Sequence, residues 1–218
     1  FAGQSHAVLV SVRPDAASIV ERDLAAAGTE TTRVTVDTPM GIGVAYETPE
    51  TLGADRLVCA AAAYSLYSDG THPVVVADMG TATTIDYVTA SGVFTGGMIA
   101  PGITSAYEGL MAAAPRLPRI ELGPDAPTRG TSTSSCLLAG TVTSHAAMIM
   151  KAAEMMGKED GKTPVVVITG GLSVLVRRIM PDSYIFDDNL ILRGLRLIHA
   201  IIHAGGCKVG RPSRPIHA

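Results

Sequence analysis

The stretch Val74-Val75-Val76-Ala77-Asp78-Met79-Gly80-Thr81-Ala82-Thr83-Thr84-Ile85-Asp86-Tyr87 constrains this chain more than any other. A run of β-branched residues reads as a buried strand, and the Thr/Ile-rich run that follows Asp-x-Gly-Thr makes the pattern strand, tight turn, strand. Gly80 lets backbone approach a ligand closely. Main-chain N–H groups and the hydroxyls of Thr81, Thr83 and Thr84 offer donors to phosphate oxygens, and Asp78 can bind a cation or a metal-held water. Asp and Gly also populate turns for conformational reasons alone, so the stretch by itself fits an ordinary hairpin equally well. Two further glycine turns, in Gly96-Gly97-Met98-Ile99-Ala100-Pro101-Gly102 and Thr169-Gly170-Gly171, favour a nucleotide cradle.

With 218 residues the chain can build one large or two small cores. Its formal charge of −3 lacks the basic excess of a nucleic-acid surface. No apolar segment reaches the roughly 18 residues that span a bilayer, so no membrane association is expected. The opening residues show neither the basic region nor the hydrophobic core of a signal sequence. Cys59, Cys136 and Cys207 are widely spaced and match no zinc pattern. Cys59 and Cys136 lie in Ala/Leu-rich helical contexts and are expected to be buried thiols, and a reducing cytoplasm is the expected compartment. His145, His199 and His203 fall on expected helices and read as helix-surface or interface residues rather than ligands.

Along the chain, a strand over 7–12, a helix over 15–27 and a strand over 32–36 begin an α/β layer. A loop or edge strand over 38–46 leads to Thr48-Pro49, which caps the approach to an Ala-rich helix over 57–67. After the central hairpin come a third antiparallel strand over 94–99, a helix from Pro101-Gly102 to Ala113, an extended piece over 117–122 and a Gly/Pro-rich loop over 123–130. The hydroxyls of Thr131 to Ser135 suit the cap of a long helix over 134–156, whose small residues and Met permit close packing within or between subunits. A strand over 165–169, a helix over 173–180, a strand over 183–186 and an amphipathic helix over 190–203 follow. Residues 205–218 read as a loosely ordered tail.

Asp55 and Arg56 stand where the Ala-rich helix begins. An acid there ordinarily favours the helix dipole, a contribution below about 1 kcal/mol. The alternative makes Asp55 a general base for a substrate hydroxyl and Arg56 an anion holder. Residue types alone leave both readings open.

Taken together, Gly53-Ala54-Asp55-Arg56, Asp78-Met79-Gly80-Thr81-Ala82-Thr83-Thr84, Gly96-Gly97-Met98-Ile99-Ala100-Pro101-Gly102, Thr169-Gly170-Gly171 and Leu192-Arg193-Gly194-Leu195-Arg196-Leu197-Ile198 resemble the type III pantothenate kinases. These belong to the superfamily of acetate and sugar kinases, heat-shock chaperone ATPases and actin. The resemblance implies two actin-like (ribonuclease H-like) α/β halves with mixed sheets flanked by helices. Residues 1–70 would be the remainder of the N-terminal half and residues 71–204 the C-terminal half. It also implies ATP-dependent phosphorylation of the pantothenate hydroxyl, the first step toward coenzyme A, with Mg2+ and a monovalent cation (K+ or NH4+), in a homodimer. Position by position, Asp55 resembles the proton acceptor. Tyr46, Gly53, Ala54, Arg56 and Thr133 resemble pantothenate contacts, Asp78 the monovalent-cation ligand, and Gly80, Thr81, Gly170 and Gly171 the nucleotide cradle. Two departures stand out. The family's leading strand and Asp-x-Gly-Asn-Thr turn do not occur in this sequence, so the N-terminal half is expected to be incomplete and residues to precede Phe1. Arg193 stands where the family usually has an acid. A non-catalytic binding protein of the same fold, or a superfamily kinase for another small substrate, are the alternatives.

Overall fold

The computed structural model describes residues 6–204. Cys207 and the expected tail lie outside these residues. Strand β1 (His6–Leu9), helix α1 (Pro14–Ala26) and strand β2 (Glu30–Arg33) form a parallel unit in which His6 pairs with Glu30 and Leu9 with Arg33. Pro14 suits the first helical position because its N–H would have no partner there. Ala17 and Leu24 are buried, and Ile19 and Val20 on the same helix are exposed.

A second, six-stranded sheet carries the rest. Its order is β3 (Gly43–Val44), β6 (Val93–Pro101), β5 (Ala82–Val88), β4 (Val74–Met79), β7 (Val165–Thr169) and β8 (Ile185–Phe186). Strands β4, β5 and β6 form an antiparallel meander, β7 and β8 add parallel to the other side of β4, and β3 adds parallel to β6. Such a mixed sheet flanked by helices is the architecture the resemblance implies. β4 sits inside the sheet with both faces covered, which explains its continuous Val-Val-Val-Ala run.

Strand alternation then sorts the side chains. Val74, Val76 and Val88 pack with α2 (Ala54–Tyr67) and α6 (Leu190–His203), whereas Val75, Ala77, Met79, Ile85 and Tyr87 pack with the opposite helical layer. By the same parity Asp78, Thr84 and Asp86 project toward α2, and Thr83 projects the other way. Helix α2 buries Leu57 through Ala63 without a break because the sheet covers one side and α6 another. Small residues permit this: a Cβ on Gly194 of α6 would meet the Val58 carbonyl oxygen at 2.6 Å.

On the far face lies a continuous helix built from α4 (Thr133–Leu138), a π-helical turn (Ala139–Thr143) and α5 (Ser144–Glu159). Ser132 caps it, exchanging bonds with Ser135 in a capping box. At 27 residues this helix is long and apolar enough to cross a membrane by length and composition, which overturns the expectation that no segment reaches that length. Thr, Ser, Gly and His interrupt it in the sequence and hide its average. In the fold, Ala146, Ile149, Ala152, Ala153 and Met156 lie in the core beside β4 and β5.

Other expectations change. His145 on α5 is buried, not surface-exposed, and Cys136 is exposed because α4 buries only Leu137. The extended piece expected over 117–122 joins no sheet, and its Ile120 N–H donates to the Tyr107 hydroxyl oxygen at 2.7 Å. The helix α3 (Ile103–Ala113) that carries Tyr107 starts after Gly102, as expected. The expected helix over 173–180 is a 3-10 turn (Ser173–Leu175) followed by further turns, in which the Ile179 N–H bonds three residues back and the Met180 N–H four, both to the Val176 carbonyl.

Candidate active site

Helix α2 begins near the carboxyl end of β4, toward the turn of the central hairpin. A 3-10 turn (Pro49–Thr51) brings the chain in, and Gly53 occupies the N-cap with no side-chain cap bond, leaving the positive end of the helix toward the sheet. Asp55 and Arg56 follow in the first turn. The Asp55 carboxylate accepts the Arg56 N–H at 2.9 Å, and the Arg56 guanidinium reaches Asp86, with Nε 3.0 and 3.2 Å from its two oxygens and Nη2 bonded as well. These two side chains are only 10% and 2% exposed. The Tyr46 hydroxyl also interacts with Arg56, and the guanidinium stands 5.7 Å from the Phe94 ring centre. Tyr46, Asp55, Arg56 and Asp86 thus form one cluster.

Asp78 belongs to it electrostatically. Burial raises its pKa above the ordinary carboxylate value, and the charges of Asp55 and Asp86 raise it further. Burial also keeps the Asp86 pKa above ordinary, against the opposing bond and charge of Arg56. For Arg56, burial works against the charge, yet the Asp86 bond and charge prevail and hold its pKa above the usual value. The result is a buried ion pair flanked by a costly carboxylate, the kind of tension that binding sites concentrate.

Asp78 also lines a cavity of about 390 Å³ with Thr169, Gly170, Gly171, Ser173 and Asp188. A larger cavity of about 710 Å³, lined by His72, Lys158, Lys162 and Tyr184 among others, lies at the opposite, amino end of β7. Ligands of open α/β sheets settle at the carboxyl ends of strands, which selects the smaller space at the ends of β4 and β7. Gly170 adopts φ +92°, and a Cβ there would fall 2.5 Å from Asp78 Oδ1 and from the Met79 nitrogen. Only glycine allows the two loops to meet so closely.

The hairpin turn is held from outside. Gly102 N–H and the Ser105 hydroxyl both donate to the Thr81 carbonyl, at 3.0 and 2.7 Å, and the Gly80 N–H donates to the Ala82 carbonyl at 3.0 Å. Thr81 itself is exposed beside this turn. Thr83, expected as a phosphate donor, is fully buried with its hydroxyl 2.8 Å from His145 Nε2 on the other face, which removes it from that role. Burial in turn lowers the His145 pKa. Thr133 is exposed at the start of α4, and among the described residues no hydrogen bond joins it to the Asp55 cluster. Arg193 pairs with buried Asp187 at 3.3 Å, so its departure from the expected acid has a local partner.

Asp86, Ser173 and Asp188 are the residues that motif reading missed. For Asp86 a signal existed: an acid between Ile85 and Tyr87 in a strand needs a buried cation, and Arg56 was the candidate. Ser173 and Asp188 carried none, because loop packing alone brings them to Asp78.

The chain matches the family described as Type III pantothenate kinase over residues 1–155. It is 38% identical over 159 residues to the type III pantothenate kinase of Syntrophus aciditrophicus, covering 73% of this chain and 61% of that protein. For the enzyme so named from Rhodospirillum rubrum it is 37% identical over 163 residues, covering 75% and 62%. The chain therefore spans about three fifths of the length of these relatives. Among solved structures it is similar to a Baf family transcriptional activator from Campylobacter jejuni, with TM-score 0.64 and 23% identity over 94% of this chain and 85% of that one. It is also similar to a 2-dehydro-3-deoxygalactonokinase from Sinorhizobium meliloti, with TM-score 0.51 and 14% identity over 85% of each chain. At these identities the two structures establish the shared fold.

Proposed function

The chain belongs to the type III pantothenate kinase family, and on that premise we propose that it serves ATP-dependent phosphorylation of the pantothenate hydroxyl to 4'-phosphopantothenate. The observation that carries the reading is the meeting of Asp55, Asp78, Arg56 and Asp86 where the start of α2 faces the carboxyl end of β4 and the middle of β5. Phosphoryl transfer asks a protein chiefly to position groups and neutralise charge. Asp55 accepts the proton of the attacking hydroxyl as its oxygen bonds to the γ-phosphorus and ADP departs. Arg56 and Tyr46, with Gly53 and Ala54, hold the carboxylate-bearing alcohol, and Asp86 fixes the guanidinium. Thr81 and the turns at Gly80, Gly170 and Gly171 receive the nucleotide phosphates.

The half-buried Asp78 carboxylate, with Thr169, Ser173 and Asp188 around one cavity, is an oxygen-rich donor set that fits hard cations such as K+, NH4+ or Mg2+. Asp78 is the proposed monovalent-cation ligand. Bound cations would neutralise phosphate charge. A cytoplasmic homodimer completes the reading: Thr133 stands exposed and unbonded to the Asp55 cluster, where a second copy would bring it to substrate. The test is a coupled ADP-release assay with pantothenate in K+ and Na+ buffers. Asp55→Asn is expected to lower kcat by about 10² to 10⁴-fold with the fold intact, the range of a lost general base. Near-normal turnover of Asp55→Asn removes that residue from the base role.

A further inference from the structure

The strand β1 and the helix α6 bring three imidazoles to one spot. His6, near the start of the described residues, faces His199 and His203, one turn apart on α6. Ring centres lie 5.2 Å apart for His6 and His199, 4.6 Å for His6 and His203, and 4.2 Å for His199 and His203. Their ligand nitrogens all fall within 4.8 Å of one another. We propose that His6, His199 and His203 form a binding site for a borderline divalent transition metal, Zn2+ foremost, that clips β1 to α6.

Three observations carry this. Two histidines four positions apart put both rings on one helical face, the spacing by which helices offer paired imidazoles to zinc. His6 Nδ1 already lies 3.2 Å from His203 Nε2. Around a tetrahedral zinc with Zn–N near 2.0 to 2.1 Å, neighbouring nitrogens are about 3.3 Å apart, so the widest pair needs to close by at most about 1.5 Å. His199 and His203 are exposed on the helix and have rotamer freedom to do so. Finally, His6 Nε2 is 2.9 Å from the Thr32 hydroxyl on β2. With Nε2–H donating there, Nδ1 keeps its lone pair toward the other two rings, which is how outer partners set the tautomer of a metal-bound histidine. Neutral imidazoles without a carboxylate in the set suit Zn2+, Ni2+ or Cu2+ over Mg2+ or Ca2+. The kinase reading gives none of the three histidines a role, so each proposal can fail alone.

The experiment is titration of the untagged, metal-stripped full chain with ZnCl2 against a chromophoric chelator, with Co2+ spectra as a second readout. The expected result is one equivalent bound per chain, with tetrahedral-type Co2+ absorption bands. His6→Ala, His199→Ala and His203→Ala should each weaken binding at least tenfold, Thr32→Val should weaken it about tenfold, the lower end for an outer partner, and His72→Ala should leave it unchanged. Zn2+ should also raise the Tm of the wild type and not that of His199→Ala/His203→Ala, whose metal-free Tm serves as the folding control. Absence of stoichiometric binding, or undiminished binding by the double variant, overturns the proposal.

Discussion

Asp86→Asn keeps the shape of the side chain and one acceptor oxygen but deletes the charge opposite Arg56. That guanidinium is 10% exposed, so water cannot replace the lost partner. Breaking a buried ion pair from one side costs about 3 to 5 kcal/mol, because the remaining charge stays buried and unpaired. At about 2 to 4 °C per kcal/mol for a chain of this size, the melting temperature should fall by about 6 to 20 °C. Urea unfolding at pH 7 of Asp86→Asn, Arg56→Met and the double variant separates the pair from its surroundings. Removing both charges deletes the penalty each single change leaves behind, so the double variant should be at least about 2 kcal/mol more stable than additivity predicts. An Asp86→Asn loss below about 1 kcal/mol, or additive losses, would refute the view that Arg56 is held by a desolvated carboxylate.

Three further outcomes follow from the geometry. Because the Asp78 pKa is raised above its ordinary 3.8, the folded protein holds that proton more tightly than the unfolded chain, and stability falls as pH rises from 3.8 through the folded value. Asp78→Asn should therefore raise the Tm at pH 7, with the gain vanishing below about pH 3.8, and a neutral-pH Tm no higher than wild type contradicts this. His145 has the opposite sign: its lowered pKa means that the unfolded chain protonates first below 6.5, so the stability it lends at neutral pH is lost as pH falls from 6.5 toward the folded value. His145→Gln, which retains a nitrogen for Thr83, should flatten the decline in unfolding free energy between pH 7.5 and 5.5, and an unchanged slope counts against a buried neutral imidazole. Gly170→Ala should cost more than about 1 kcal/mol, since its positive φ and its contact with Asp78 both forbid a side chain. Gly171→Ala, with open space at its Cβ, should stay within about 0.5 kcal/mol in the same denaturation series.

Local chemistry made much of this legible from the chain alone. The Val-rich run could only be a strand covered on both faces, and α6 carries an apolar stripe whose ends coincide with the expected 190–203. Asp55, Arg56, Asp78 and the turns at Gly80 and Gly170 could be singled out as candidates because they stand in short motifs, whereas the expected turn at Gly96-Gly97 lies inside strand β6. What escaped depended on distant partners. Nothing near His145 announces that Thr83, 62 residues away, will bury and bind it. Asp86 joins the candidate site only when α2 lays Arg56, 30 residues upstream of it, over β5. Cys136 was misread for a related reason: its Leu-rich context suits burial, and α4 buries only Leu137.

The π-helical turn at Ala139–Thr143 carries one residue more than a regular turn. Upstream, Leu137 is phased to meet Tyr107 and Met111, and downstream Val142, Ala146 and Ile149 are phased to meet the sheet. A π turn absorbs its extra residue within one turn, so removing one residue from 139–143 would restore regular helix with both halves in phase, whereas regular helix through all the present residues would rotate one half against the other by about 100°. Either Leu137 would swing out of its cluster or the sheet-facing residues would leave theirs. The turn thus acts as a phase joint between two separately indexed contact patterns. A relative built on uninterrupted helix would have to align here with a gap of one residue to keep both halves in register.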